Sequence, residues 1–294
     1  MIGFVKRVLS VIKGREISFI FYYIFVECII CDIFYNVHRW FMFLNTKNKK
    51  VVKKVNDSFM ELNLNDKGIS RDLYLYGIRE KVATEKMKEI LNKDDIVLEI
   101  GSNIGYYVLL ESKRVSKIYA VEPVPNNFKM LEKNILLNNL KNVETYNISI
   151  GDKNGISSIY ISDKSNLHSF VSCVGNKKVD VEMKTLDSFI SDKEFPTVLR
   201  MDVEGYEYEI LKSSKKFLEK MKKGSWIFIE IHKFQSRRAK EVFDIIKDSG
   251  FVLETEIQEH DRKKVFDSFT YKKKFKKITF HDNNARECFF VKEK

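Results

Sequence analysis

Only three prolines and twelve glycines are spread over 294 residues, so no Pro- or Gly-rich linker divides the chain. No internal repeat recurs at a fixed period, which excludes a solenoid or propeller. Cysteine is scarce: Cys28, Cys31, Cys173 and Cys288. Cys28 and Cys31 form a lone C-x-x-C inside an apolar segment, without a second pair or histidines at zinc spacing. That segment is not a strand-to-helix turn, so a thioredoxin-type site is not expected either. The thiols read as packing groups in a reducing compartment. The most hydrophobic stretch, residues 17–35, is interrupted by Glu27 and Asp32, each costly at a bilayer centre. It has no small-residue cleavage site of a signal peptide.

What is present is an ordinary globular composition, 44% hydrophobic and 32% charged, long enough for one large domain or a core domain plus an extension. The net charge of +11 sits at the two ends. Residues 1–60 hold ten Lys/Arg against four Asp/Glu, and residues 259–294 hold eleven against six, which leaves the middle near neutral. Basic ends suit an anionic surface such as lipid headgroups, nucleic acid or an acidic glycan, or they are simply solvated. Arg15 before the apolar stretch, and His38, Arg39 and Trp40 after it, resemble interfacial anchors. Residues 17–45 therefore either pack on the main domain or lie in a membrane surface, with a true span the third choice. The expected location is cytoplasmic, with a peripheral hold on an anionic membrane as the alternative.

From about residue 80, helices alternate with short apolar strands. Helical periodicity covers 79–91, 126–140, 206–221 and 236–250, and strands are expected at 95–101, 117–123, 143–151, 197–203 and 225–232. Segments 157–162 and 178–186 alternate with period two and read as an added hairpin, and "FVLETEI" and "ECFFVK" supply two last strands. This order predicts an α/β fold with a mostly parallel sheet covered on both faces. The chain divides into a hydrophobic, basic helical extension (1–65) and a main domain (66–294). That domain carries the added hairpin (156–186) and a Lys/Phe/Tyr-rich insertion (259–281).

In "VLEIGSNIGYY", Gly101 and Gly105 flank a tight turn after the first strand, with Ser102 and Asn103 between them. The middle glycine of a dinucleotide fingerprint is missing, and Glu99 suits a cationic ligand better than a phosphate. These features argue against NAD and for S-adenosylmethionine. Glu122, followed by Pro123 at the end of the second strand, is placed to accept two ribose hydroxyls. Asp152, after the third strand, either receives the adenine amino group or is a turn residue.

"LEIGSNIGYY", "AVEPVPNNFKMLEKNI", "NISIGDKNG", "KTLDSFI" and "LRMDVEGYEYEIL" together resemble the FkbM-type S-adenosylmethionine-dependent methyltransferases, from about residue 78 to 250. The resemblance implies a seven-stranded class I methyltransferase sheet and O-methylation of hydroxyls on sugars or natural products. It also implies a role near the cofactor for Glu80. Glu99 stands where the family more often has Asp, and the first 60 residues fall outside the similarity.

An alcohol acceptor must lose a proton, so acids or a histidine are sought at the ends of the fourth and fifth strands. Asp202 and Glu204 share one side of the fourth strand's end, and Glu230 and His232 share one side of the fifth. His232 is then a general base oriented by an acid, or Asp202, Glu230 and His232 hold a divalent metal. Glu207 and Glu209 read as helix-surface acids. Tyr206 and Tyr208 line an acceptor or pack, and His168 and Ser169 are acceptor contacts. The competing classes are a nucleic-acid methyltransferase, which lacks support from any N-P-P-Y motif, and a cofactor-binding, membrane-associated module without turnover. The oligomeric state is open.

Overall fold

The short apolar segments that alternate with helices pair as one seven-stranded sheet in the computed structural model, which describes residues 50–66, 68–161, 170, 177–231, 238–258 and 286–293. Residues 17–35, the Cys28–Cys31 pair, Cys173, His168, Ser169, His232 and the insertion 259–281 lie outside the described residues. The chain enters through an antiparallel hairpin, β1 (Lys50–Val55) and β2 (Ser58–Asn63), then α1 (Ile69–Tyr76) and α2 (Lys81–Ile90). There follow β3 (Ile96–Ile100), α3 (Tyr106–Glu111), β4 (Lys117–Val121), α4 (Pro125–Leu137), β5 (Val143–Tyr146) and β6 (Ser149–Ile150). Next come β7 (Gly155–Ile161), β8 (Lys177–Lys184), α5 (Leu186–Ile190), β9 (Val198–Met201), α6 (Glu207–Ser213) and α7 (Lys215–Lys220). The described chain closes with β10 (Trp226–Ile231), α8 (Ala239–Asp248), β11 (Phe251–Gln258) and β12 (Arg286–Lys292).

The large sheet runs β11-β12-β10-β9-β3-β4-β5, with β12 antiparallel to both of its neighbours and the other pairs parallel. Strands such as β4, in which residues 118–121 are all buried and apolar, are so because helices cover both faces of a parallel sheet. Strand order reverses at β3: the chain moves to β4 and β5 on one side and later to β9 and β10 on the other. A crevice opens beyond the carboxyl ends of β3 and β9, the usual ligand position in such sheets. Gly101 ends β3 there at φ +85°, and a Cβ at this position would lie 1.9 Å from the carbonyl oxygen of Asp202. Only glycine lets the two strand ends come this close.

The added hairpin is present as β7 and β8, extended to three strands by β6. The segment expected as one strand over 143–151 therefore leaves the large sheet between Tyr146 and Ser149, where the Asn147 amide donates to the carbonyls of Glu122 and Pro123. The helix expected over 206–221 is two helices. Ser214 returns its hydroxyl to the Ile210 carbonyl at 2.6 Å, a local bond that competes with helix continuation. Residues 50–63, expected within a helical extension, are a hairpin instead. Val55, Met60 and Leu62 alternate inward onto the core, and Asn56 takes the left-handed turn position at φ 51°. No helix among the described residues is long and apolar enough to cross a membrane.

Candidate functional site

A cleft lies at the point of strand reversal, beyond the carboxyl ends of β3 and β9. Glu80, Glu99, Gly101, Ser102, Asn103, Glu122 and Pro123 line it from the donor-side set, and Asp202 and Glu204 from the acceptor-side set. Gly105 stands behind the loop as the residue before α3, and Asp152 lies at the lip, where its carboxylate accepts from the Tyr206 hydroxyl at 3.0 Å.

Glu122 is almost fully buried at the end of β4. One of its oxygens accepts the Asn103 amide at 2.8 Å and the other accepts the Val124 amide at 2.9 Å. The Asn127 side chain bonds the same carboxylate, so a ligand diol would share the remaining acceptor positions with it. Burial pushes its carboxyl up from 4.5 to about 7, against the Val124 and Asn103 amides and the Asn127 side chain, which favour the charge. The ligand-free fold therefore binds this proton more tightly than the unfolded chain does. Its stability is expected to fall as pH rises from about 4.5 to about 7, the window between the two values. A ligand that needs the carboxylate should instead bind more weakly by roughly tenfold per pH unit below that upper value. Melting curves and calorimetric titrations with S-adenosylmethionine across that window check both signs.

Glu99 and Arg200 face each other across the β3–β9 register. Arg200 Nη1 meets Glu99 Oε1 at 2.5 Å, and Arg200 Nη2 reaches Asp202 Oδ2 at 3.5 Å. The guanidinium lies 3.8 Å from the centre of the Tyr107 ring. Burial opposes the Arg200 charge, but Glu99 and Asp202 more than offset it and keep it protonated. Glu99 thus lines the cleft with one oxygen already held by Arg200, so a ligand ammonium would share this carboxylate with the guanidinium. Behind it, burial and then the Glu99 charge push the Glu111 carboxyl well up, which favours its neutral form.

Tyr107 donates to Glu80 Oε2 at 3.0 Å, and Arg79 Nε meets Glu80 Oε1 at 2.5 Å. Arg79 is pinned in turn, since its carbonyl accepts from the hydroxyls of Tyr106 and Thr84. Among the described residues five non-glycines have positive φ. Three, Asn56, Asn103 and Asn139, are asparagines, which tolerate that region. Asn103 lines the cleft, and so do the two that are not asparagine, Glu80 and Glu204. Two glutamates held left-handed at one cleft is the backbone strain expected of a functional site.

Glu230 is the cross-strand partner of Glu287 on β12, and one carboxylate oxygen from each of Glu80, Glu230 and Glu287 lies within 4.8 Å of the others. Three oxygen donors at that spacing could hold a hard cation. Burial opposes the Arg79 charge, but Glu80, Glu230 and Asp202 more than offset it and raise its pKa above the usual range. Glu207, expected on the helix surface, is fully buried and accepts the Gly205 amide at 3.2 Å, closing the turn into α6. Glu209 is surface-side and pairs with Arg238. Tyr206 lines the cleft, whereas Tyr208 packs under Arg238, 4.6 Å from its guanidinium.

Arg79, Arg200, Tyr107 and Glu287 were not among the residues expected from sequence. An arginine inside "VLRM" and a glutamate inside "ECFFV" are charged residues in buried strands, and that was the available signal. Five carboxylates and two guanidinium groups line the cleft. This excess of negative charge fits a sulfonium-bearing ligand and disfavours a pyrophosphate.

Residues 99–253 match the family model described as the methyltransferase FkbM domain. Methyltransferase 1 of Beauveria bassiana is 27% identical over 146 residues, which cover 40% of this chain and 58% of that protein. This chain thus aligns with little more than half the length of that relative. The hexuronic acid methyltransferase AglP of Haloferax volcanii is 28% identical over 184 residues, 56% of this chain and 72% of that protein. Among solved structures, Trm5b from Pyrococcus abyssi aligns over 84% of this chain and 56% of its own at 13% identity, with a TM-score of 0.47.

Proposed function

The chain belongs to the FkbM methyltransferase family, and from that premise we propose that it transfers a methyl group from S-adenosylmethionine to a hydroxyl of a sugar, glycan or related small molecule. The observation that carries the reading is the acid-lined cleft at the strand reversal. Glu122 is fixed there as a two-oxygen acceptor, and Asp202 opens onto the same space. When bound, S-adenosylmethionine supplies an activated methyl on a positively charged sulfur.

Glu122 accepts the ribose diol, and Asn103 and Pro123 shape the wall beside it. Glu80 and Glu99, with Arg79 and Arg200 as counter-charges, surround the cationic end of the donor. Asp202 takes the proton from the acceptor hydroxyl, and Arg200 Nη2, 3.5 Å from its Oδ2, holds that carboxylate toward the cleft. Glu204 borders the acceptor side, and Glu230 steadies Arg79 from the next strand. His232, which follows Ile231 in the sequence, is proposed as a second base. Arg79 supplies the counter-charge to the Glu80–Glu230–Glu287 group, so we assign proton removal to Asp202 without a divalent metal.

A sugar acceptor is favoured over nucleic acid because the negative cleft repels a phosphodiester backbone. The similarity to a hexuronic acid methyltransferase points the same way. The test offers methyl-labelled donor with glycan, lipid-linked and RNA acceptors, with and without EDTA. The expected result is label in an O-methyl ether of a sugar, unchanged by EDTA. Label in RNA, or transfer that stops on chelation and returns with Mg²⁺, would overturn the respective assignment.

A further inference from the structure

We propose that the outer face of the β1–β2 hairpin, with the last turns of α4, is a docking surface for an anionic lipid bilayer. Among the described residues six large hydrophobic side chains are exposed, and four of them belong to this one region. They are Val52 (57% exposed), Phe59 (53%), Leu136 (75%) and Leu137 (40%). Single exposed apolar residues need no explanation, but a group of four does.

The hairpin register shows why these side chains gather. Lys54 is opposite Phe59 and Val52 is opposite Glu61, so all four point away from the face that buries Met60 and Leu62. Helix α4 is tied alongside. The Asn138 amide group bonds both the N–H and the C=O of Phe59, at 2.9 and 2.7 Å, and Asn134 Oδ1 accepts the Glu61 amide at 2.7 Å. Lys133 reaches Glu61 at 3.3 Å, which places its stripe of the helix on the outer side. Lys129, Lys133, Leu136 and Leu137 recur at helical spacing, so the leucines continue the apolar patch.

Exposed Lys50, Lys54, Lys129 and Lys133 border the patch, and Lys133 pairs with Glu61. An apolar centre ringed by lysine suits a surface of anionic headgroups over acyl chains. It does not suit a second copy of the chain, because a symmetric contact would set the same lysines against each other. The chain also enters the hairpin at Lys50 directly from the basic, apolar stretch of residues 1–49, whose sequence suits the same partner. The leucines are remote from the cleft: helix α4 starts at Pro125 beside Pro123 and Val124 of the cleft wall, and its 13 residues carry Leu136 and Leu137 about 20 Å away.

The test is vesicle flotation of the full chain with phosphatidylglycerol-containing vesicles and with pure phosphatidylcholine. The wild type should float with the first and not with the second. The triple variant Phe59→Ser, Leu136→Ser, Leu137→Ser, and separately Lys50→Ala with Lys54→Ala and Lys129→Ala, should each weaken that binding by roughly tenfold or more. S-Adenosylmethionine binding should be unchanged in both, which shows that they fold. No flotation of the wild type, equal flotation of the variants, or a concentration-dependent dimer that the variants abolish would each overturn the proposal.

Discussion

Replacing Glu122 with alanine is expected to lower the affinity for S-adenosylmethionine by roughly 10²–10⁴-fold. Two hydrogen bonds to a charged acceptor are lost, each contributing about 1.5–3 kcal/mol. The change also strips the Asn103 and Val124 amides of their acceptors, 2.8 and 2.9 Å away, and so loosens the loop that frames the ligand. Glu122→Gln keeps one acceptor oxygen and the shape of the site, and should fall between wild type and alanine. Calorimetric titration at pH 7.5 or above reads the difference with the wild-type carboxyl largely ionised. An alanine variant that binds within a few-fold of wild type would remove Glu122 from the ligand site.

The second large effect is on turnover. Asp202→Asn should reduce kcat by about 10²–10⁴-fold, the usual contribution of a positioned base, while leaving donor affinity within a few-fold. The substitution preserves shape and removes the proton acceptor. Arg200→Met is expected to lower kcat and also to weaken donor binding, because the guanidinium holds Glu99 at 2.5 Å and Asp202 at 3.5 Å together. Steady-state kinetics with the acceptor varied at saturating donor separate the two. If Asp202→Asn retains wild-type kcat, proton removal belongs elsewhere, and His232 is the next residue to change.

The main sheet was legible because its strands are short apolar runs separated by amphipathic helices, a pattern that local periodicity reports directly. The loop Gly101–Gly105 and Glu122 were legible for a related reason: both sit at strand ends, where a glycine or a carboxylate stands out against buried neighbours. What the sequence did not disclose depends on register between distant segments. Glu99 and Arg200 are 101 positions apart and meet only because β3 and β9 are adjacent in the sheet. Glu287 joins Glu230 only because β12 inserts antiparallel beside β10. Glu207 looked like a surface acid because helix N-termini favour acids at the surface, yet the turn at Gly205 draws it inside to accept an amide. The hairpin at 50–63 falls inside the segment expected as a helical extension (1–65), because a lysine-rich strand with one buried face carries little local signal of its own.

The central claim is that an acid-lined cleft at the β3/β9 reversal is built for a cationic adenosyl donor. Parallel titrations of the full chain with S-adenosylmethionine and with NAD⁺ test it most directly. One saturable site for S-adenosylmethionine, weakened by roughly 10²–10⁴-fold in Glu122→Ala, is expected, with no binding of NAD⁺. No heat with S-adenosylmethionine, or NAD⁺ binding of comparable strength, would contradict it.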